Sequence, residues 1–170
     1  VETPYGASWQ TNREKTDMES YFQYNDGGRS DSGYMGEARD CVARSVAIAA
    51  GLPYQDVYNE LAKGNAKQRV SINDLGYIPK RRVRTARNGI NTKRKWFKDY
   101  MISLGFTWTP TMQIGSGCTV HLTPSELPAH GRLVLSLSKH CAAFIDGKLL
   151  DTYDCSRDGT RCVYGYWTLT

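Results

Sequence analysis

Three residues far apart along the chain can do chemistry if the fold joins them. Cys41 stands in "ARDCVARSVAIAAG" (38–51), behind Asp40 and at the mouth of an apolar run that ends at a glycine. A thiol at a helix start meets unpaired backbone N–H groups and the positive end of the helix dipole. Both favour the thiolate, which is the nucleophilic form. The alternative is a small, buried, inert cysteine. His140 is the partner a nucleophile needs. It opens a β-prone run leading into Asp146-Gly147, a two-residue hairpin signal. Such a turn sets Ile145 opposite Lys148 and His140 opposite Tyr153, and so puts Asp151 on the sheet face of His140, one diagonal step away. A carboxylate there accepts from one imidazole nitrogen and leaves the other to take the thiol proton. Asp154 has the wrong parity but lies near enough to stand as an alternative orienter.

Other constellations point elsewhere. Cys118 with His121, and Cys155 with Cys162, offer four soft ligands for zinc, but neither pair has the short spacing of a zinc knuckle. They read better as small packing residues near strand ends, with Cys155 and Cys162 flanking a loop across which they can approach. No metal and no cofactor are expected. The five cysteines, odd in number and irregular in spacing, argue against a disulfide framework and for a reducing, cytoplasmic setting. The run "PKRRVRTARNGINTKRKWFK" (79–98) holds nine Lys/Arg residues, among them Arg81, Arg82 and Arg84, with Trp96 and Phe97 alongside. Such a run can hold phosphates and stack bases, can select an acidic protein substrate, or can be a solvated face. The formal charge of +5 permits an acidic partner without demanding one. Arg44, one turn after Cys41, is placed to brace the helix through a carboxylate.

These residues need elements to carry them. The 170-residue chain is long enough for one domain with a core. It contains no apolar run long enough to cross a bilayer, so no membrane partner is expected. It opens on Val1, with no charged-then-apolar leader in the sequence as given. Residues 1–37 are polar and aperiodic and read as an extended or partly ordered arm, with Tyr21, Phe22 and Tyr24 favouring docking over disorder. The pattern predicts helices over 40–50, 54–63 and 92–104. In the first, Asp40 accepts from first-turn N–H groups and Gly51 is the stop. Trp96, Tyr100 and Leu104 share a stripe of the third. Short β-prone runs follow at 132–138, 140–146, 148–153 and 163–169. Helices first and an antiparallel sheet second imply an α+β domain over 38–170.

The strings "DCVARSVAIAAGLPYQDVYNEL", "TMQIGSGCTVHL" and "SKHCAAFIDGKLLDTYDCSRDGTRCVYGYW" are similar to small phage-encoded proteins classed as papain-like cysteine peptidases. The resemblance covers about residues 38–168. It implies a papain-like fold in which Cys41 is the nucleophile, His140 the base and Asp151 the orienter, acting on a protein or peptide in the host cytoplasm. It implies no particular substrate. One departure stands out: papain-type enzymes carry a glutamine shortly before the cysteine, whereas "YMGEARD" has none. The oxyanion donors would then be the N–H of Cys41 with a group from Arg39 or the preceding loop, or Gln23 and Asn25 if the arm docks. Two functions follow as expectations. One is a thiol hydrolase or acyltransferase. The other is a binding or inhibitory module of the same fold with a weak or dead site, contacting an acidic protein or nucleic acid through 79–98.

Overall fold

A computed structural model of the chain describes residues 21–67, 85–87 and 89–170. Arg81, Arg82 and Arg84 lie outside the described residues.

The first helix, α1 (Cys41–Ala50), buries every residue from Val42 to Ala49. A run of Val, Ala and Ile with no polar stripe requires that, since a helix apolar on all sides must be enclosed. Gly51 ends it in the left-handed conformation at φ 67°, with its N–H on the Ile48 carbonyl, as glycine there allows. Pro53 then admits α2 (Tyr54–Lys67), longer than the expected 54–63, which turns Tyr54, Val57 and Leu61 inward. The third helix, α3 (Lys95–Ser103), starts three residues later than expected. Its innermost residues are Phe97 and Met101, while Trp96, Tyr100 and Leu104 pack half-buried against the same core.

The strands are β1 (Phe22–Tyr24), β2 (Phe106–Pro110), β3 (Arg132–Leu137), β4 (His140–Ile145), β5 (Lys148–Asp151) and β6 (Gly165–Leu169). They form one sheet in the order β1-β5-β4-β3-β6-β2. The Asp146-Gly147 hairpin pairs Ile145 with Lys148, the expected register. The expectation of a wholly antiparallel sheet needs correction. Phe22–Tyr24 from the N-terminal region joins β5 in parallel, which makes the sheet mixed. Three residues without alternation give no strand signal of their own; the free edge of β5 supplies the pairing.

Both sheet faces are covered, which explains the nearly continuous apolar runs of β3 and β4. Alternation sorts their side chains. Val134, Cys141 and Ala143 face the helices, in a core with Val46, Leu61, Phe97 and Trp167. Leu133, Leu135, Ala142 and Phe144 face the opposite way, where Tyr21, Leu122, Leu127 and Val163 close a second core. The chain is therefore an α+β domain with helices on one face of a six-stranded mixed sheet. No helix among the described residues is long and apolar enough to cross a membrane.

The reading of five reduced cysteines also needs correction. Cys118 and Cys162 form a disulfide, with Cα atoms 5.8 Å apart. The backbone aligns them: His121 bridges Cys162, and Val163 N–H donates to the Val120 carbonyl at 2.8 Å. Partners 44 residues apart cannot be paired from spacing alone. Cys155, the expected neighbour of Cys162, is instead a buried free thiol.

Candidate active site

Cys41 is the first residue of α1, His140 the first of β4 and Asp151 the last of β5. The hairpin register carries His140 beside Asp151, and Nε2 lies 2.6 Å from Asp151 Oδ2. That bond occupies one of the two ring nitrogens. Cys41 is half-buried and free, and its sulfur meets the side chains of Cys141 and His140. The Cys141 contact, the His140 hydrogen bond and charge, and the Cys141 backbone N–H together outweigh burial and hold the thiol down at about 4. Burial alone would push the imidazole down; its bonds to Asp151, Cys155 and Cys41, with the Asp151 charge, instead hold it up at about 12. Burial likewise opposes the Asp151 carboxylate, but the bond and charge of His140, the Thr152 N–H and Arg44 keep it below the ordinary carboxylate range. These directions favour a thiolate beside an imidazolium, next to the Asp151 carboxylate. Cys141 and Cys155 are pushed the other way, Cys141 by its contact with Cys41 and by burial, Cys155 chiefly by burial.

Beneath this lies an ionic floor. Asp40 is 1% exposed. Its carboxylate pairs with Arg44, accepts from Tyr54 Oη at 2.6 Å, and lies 2.9 Å from Arg29 Nε, an ion pair whose N–H does not point along the contact. Asp40 is therefore not the side-chain cap expected of it, because these three partners take its oxygens. The helix start is served instead by its carbonyl, which accepts from Arg44 N–H at 3.0 Å. Arg44 also reaches Asp151 Oδ1 at 3.6 Å, so one guanidinium braces both the residue before Cys41 and Asp151. At the edge, β1 continues its ladder with Asn25 N–H on the Asp151 carbonyl at 2.9 Å. Buried Arg161 donates to the carbonyls of Ser138 and Cys155, tying the turn before His140 to the loop after Asp151. Sequence reading missed Arg29, Tyr54 and Arg161. The only local signal was the Asp40/Arg44 spacing of four, which suits a helical ion pair.

The thiol opens into a cleft of about 840 Å³, whose lining includes Arg39, Lys93, Lys139, His140 and Tyr153. The remaining candidates fall elsewhere. Asp154 caps its own turn, accepting from Ser156 N–H, and does not bond His140. Gln23 is exposed on β1, and the Asn25 side chain accepts from Gly27 N–H, so neither lines the cleft. Trp96, expected at an anion contact, lies between helices: a Cβ added to Gly64 would meet its ring at 2.3 Å. Of the four zinc ligands considered, Cys118 and Cys162 are joined, His121 bonds Glu126 and Cys155 lies against His140. Ligand atoms of His140, Asp151 and Cys155 do lie within 4.8 Å of one another, but an ion there would have to break the His140–Asp151 bond.

No protein-family model matches the chain, and neither a curated protein nor a solved structure shows significant similarity to it.

Proposed function

We propose that the chain is a papain-like thiol hydrolase acting on an amide or isopeptide bond of a peptide or protein, with Cys41, His140 and Asp151 as its triad. The observation that carries the reading is His140, bonded through Nε2 to a buried carboxylate at 2.6 Å, interacting with the Cys41 thiol and lining one cleft with it.

The steps follow from these groups. Cys41 Sγ attacks the carbonyl carbon, and the C–O π pair moves onto oxygen. The Cys41 backbone N–H, with groups of the segment before it, is the candidate donor for that oxyanion. The carbonyl re-forms, the C–N bond breaks, and the His140 imidazolium gives its proton to the leaving nitrogen. Water then attacks the thioester while neutral His140 takes its proton, which releases a carboxylic acid and restores the thiolate. With an amine in place of water, the same site transfers the acyl group. Asp151 fixes the ring and keeps Nε2 protonated throughout.

Two measurements test this. Limiting iodoacetamide with mass-spectrometric mapping at pH 6 should label Cys41 well ahead of Cys141 and Cys155. A proteome-derived peptide pool should acquire new C-termini with the native protein and none with Cys41→Ala. Similar labelling of all three free thiols, with midpoints near about 8.5, removes the hydrolase. A binding module of the same fold would instead keep its function in Cys41→Ala and lose it on charge reversal at Arg81, Arg82 and Arg84.

A further inference from the structure

We infer that the cleft over Cys41 receives an acidic peptide segment, read by Arg39, Lys93 and Lys139. The inference rests on the hydrolase reading and specifies the substrate class for the same site.

The three cations come from separate parts of the fold. Arg39 lies two residues before the nucleophile, and its carbonyl accepts from Gly89 N–H at 3.0 Å. Lys93 sits in a turn closed by its own N–H on Asn91 Oδ1 at 3.0 Å. Lys139 occupies the β3–β4 turn, next to His140. Their backbones are held, yet all three side chains are exposed and line one cleft. None has an ion-pair partner among the described residues, and no Asp or Glu lines the cleft among them.

The charges beneath do not offset them. Asp40 and Asp151 are balanced by Arg29 and Arg44, and the Cys41 thiolate by the His140 imidazolium. Among the described residues, what an entering ligand meets is a rim of cations with no carboxylate beside them. Lys139 adds a second observation. It holds φ at 54°, a left-handed conformation that glycine adopts more easily. Where a residue other than glycine persists in such a conformation, its side chain is a candidate for function, and this one ends at the cleft. Beside the cleft, and sharing Lys93 and Tyr164 with it, lies a hollow of about 370 Å³ lined by Trp108, Met112, Ile114 and Trp167, again without a carboxylate. An apolar side chain of the same peptide fits there. Asp or Glu near the bond to be cut, with an apolar residue close by, is the matching chemistry. A peptide is favoured over a nucleic acid because the group under the rim is a nucleophile suited to a carbonyl carbon.

The test compares two alkylating reagents at Cys41, neutral iodoacetamide and anionic iodoacetate, each referred to the neutral thiol N-acetylcysteinamide. At low salt and pH 7 the iodoacetate/iodoacetamide rate ratio at Cys41 should exceed the reference ratio about tenfold, roughly twofold for each cation. It should fall towards the reference in about 0.5 M salt and in the Arg39→Gln/Lys93→Gln/Lys139→Gln variant, with a thermal melt to confirm that the variant is folded. Lys139→Gly, which removes a charge and eases the backbone, should lose its share of the ratio without loss of stability. In the peptide pool, cut sites should be enriched in Asp and Glu, and the triple variant should lose that enrichment. Rapid iodoacetamide labelling with a ratio equal to the reference overturns the acidic-substrate inference and leaves the hydrolase standing; slow, unselective labelling by both reagents overturns the hydrolase itself. Protection of Cys41 by a single-stranded oligonucleotide but not by oligoglutamate also overturns the inference, in favour of nucleic acid.

Discussion

Replacing His140 by Gln takes the cation away from Cys41 and asks how much of the thiol's acidity it supplies. The imidazole interacts with the thiol, and its own ionisation is held up at about 12, which favours the charged ring over most of the pH range. Two opposite charges about 4 Å apart interact by about 4 kcal/mol at the effective dielectric of a partly buried site. At about 1.4 kcal/mol per pKa unit, that is a shift of about 3. The native thiol is held at about 4, so it carries thiolate as pH falls until that point. In His140→Gln the midpoint should rise to about 7, still under the ordinary value because the Cys141 side chain and N–H remain. At pH 6 the thiolate fraction then drops about tenfold, and at pH 9 it hardly changes. The assay is the iodoacetamide rate at Cys41 against pH, mapped by mass spectrometry, with a thermal melt at each pH to confirm folding. Asp151→Asn is the control. It keeps the side chain's shape and the ring in place but removes the charge that holds the imidazole up, so the Cys41 midpoint should rise by less than in His140→Gln. The reasoning is refuted if His140→Gln shifts the midpoint by less than half a unit, or if Asp151→Asn shifts it as far.

Two more expectations concern stability. Asp40→Ala leaves Arg44, Arg29 and the Tyr54 hydroxyl without their shared acceptor, which should cost about 3–5 kcal/mol and lower the melting temperature by about 10 °C; a fall under about 3 °C would show that the floor is not structural. Reducing the Cys118–Cys162 bridge, which closes a 44-residue separation, should remove up to about 4 kcal/mol. Because neither sulfur of the bridge lines the Cys41 cleft, Cys41 labelling should keep its pH profile in reductant, and loss of that profile with the disulfide would contradict the geometry described.

What could be read in advance was whatever short-range pattern encodes. The apolar run after Cys41 and the glycine at 51 mark a buried helix, and the Asp146-Gly147 turn fixes a register that carries His140 to Asp151. Contacts set by distant segments were invisible. Phe22–Tyr24 becomes a strand only because β5, some 127 residues later, offers an edge. Asp40 looks like a cap locally, and only Arg29 and Tyr54 turn it into the centre of an ionic cluster. Trp96 looks like a stacking surface beside a basic run until Gly64 is seen to lie under its ring. Cys118 and Cys162 meet because two loops align, which spacing does not reveal.

The spread of the site along the chain has a consequence for synthesis. The side chains that hold Cys41 down belong to β4, and of the groups that steady His140, Asp151 on β5 and Arg161 come later still. While the chain emerges from the ribosome, N-terminus first, the sulfur is an ordinary thiol for roughly the next hundred residues. The neighbours that hold the thiol down are in place only when the last third is made and folded, so an incomplete polypeptide lacks the proposed site.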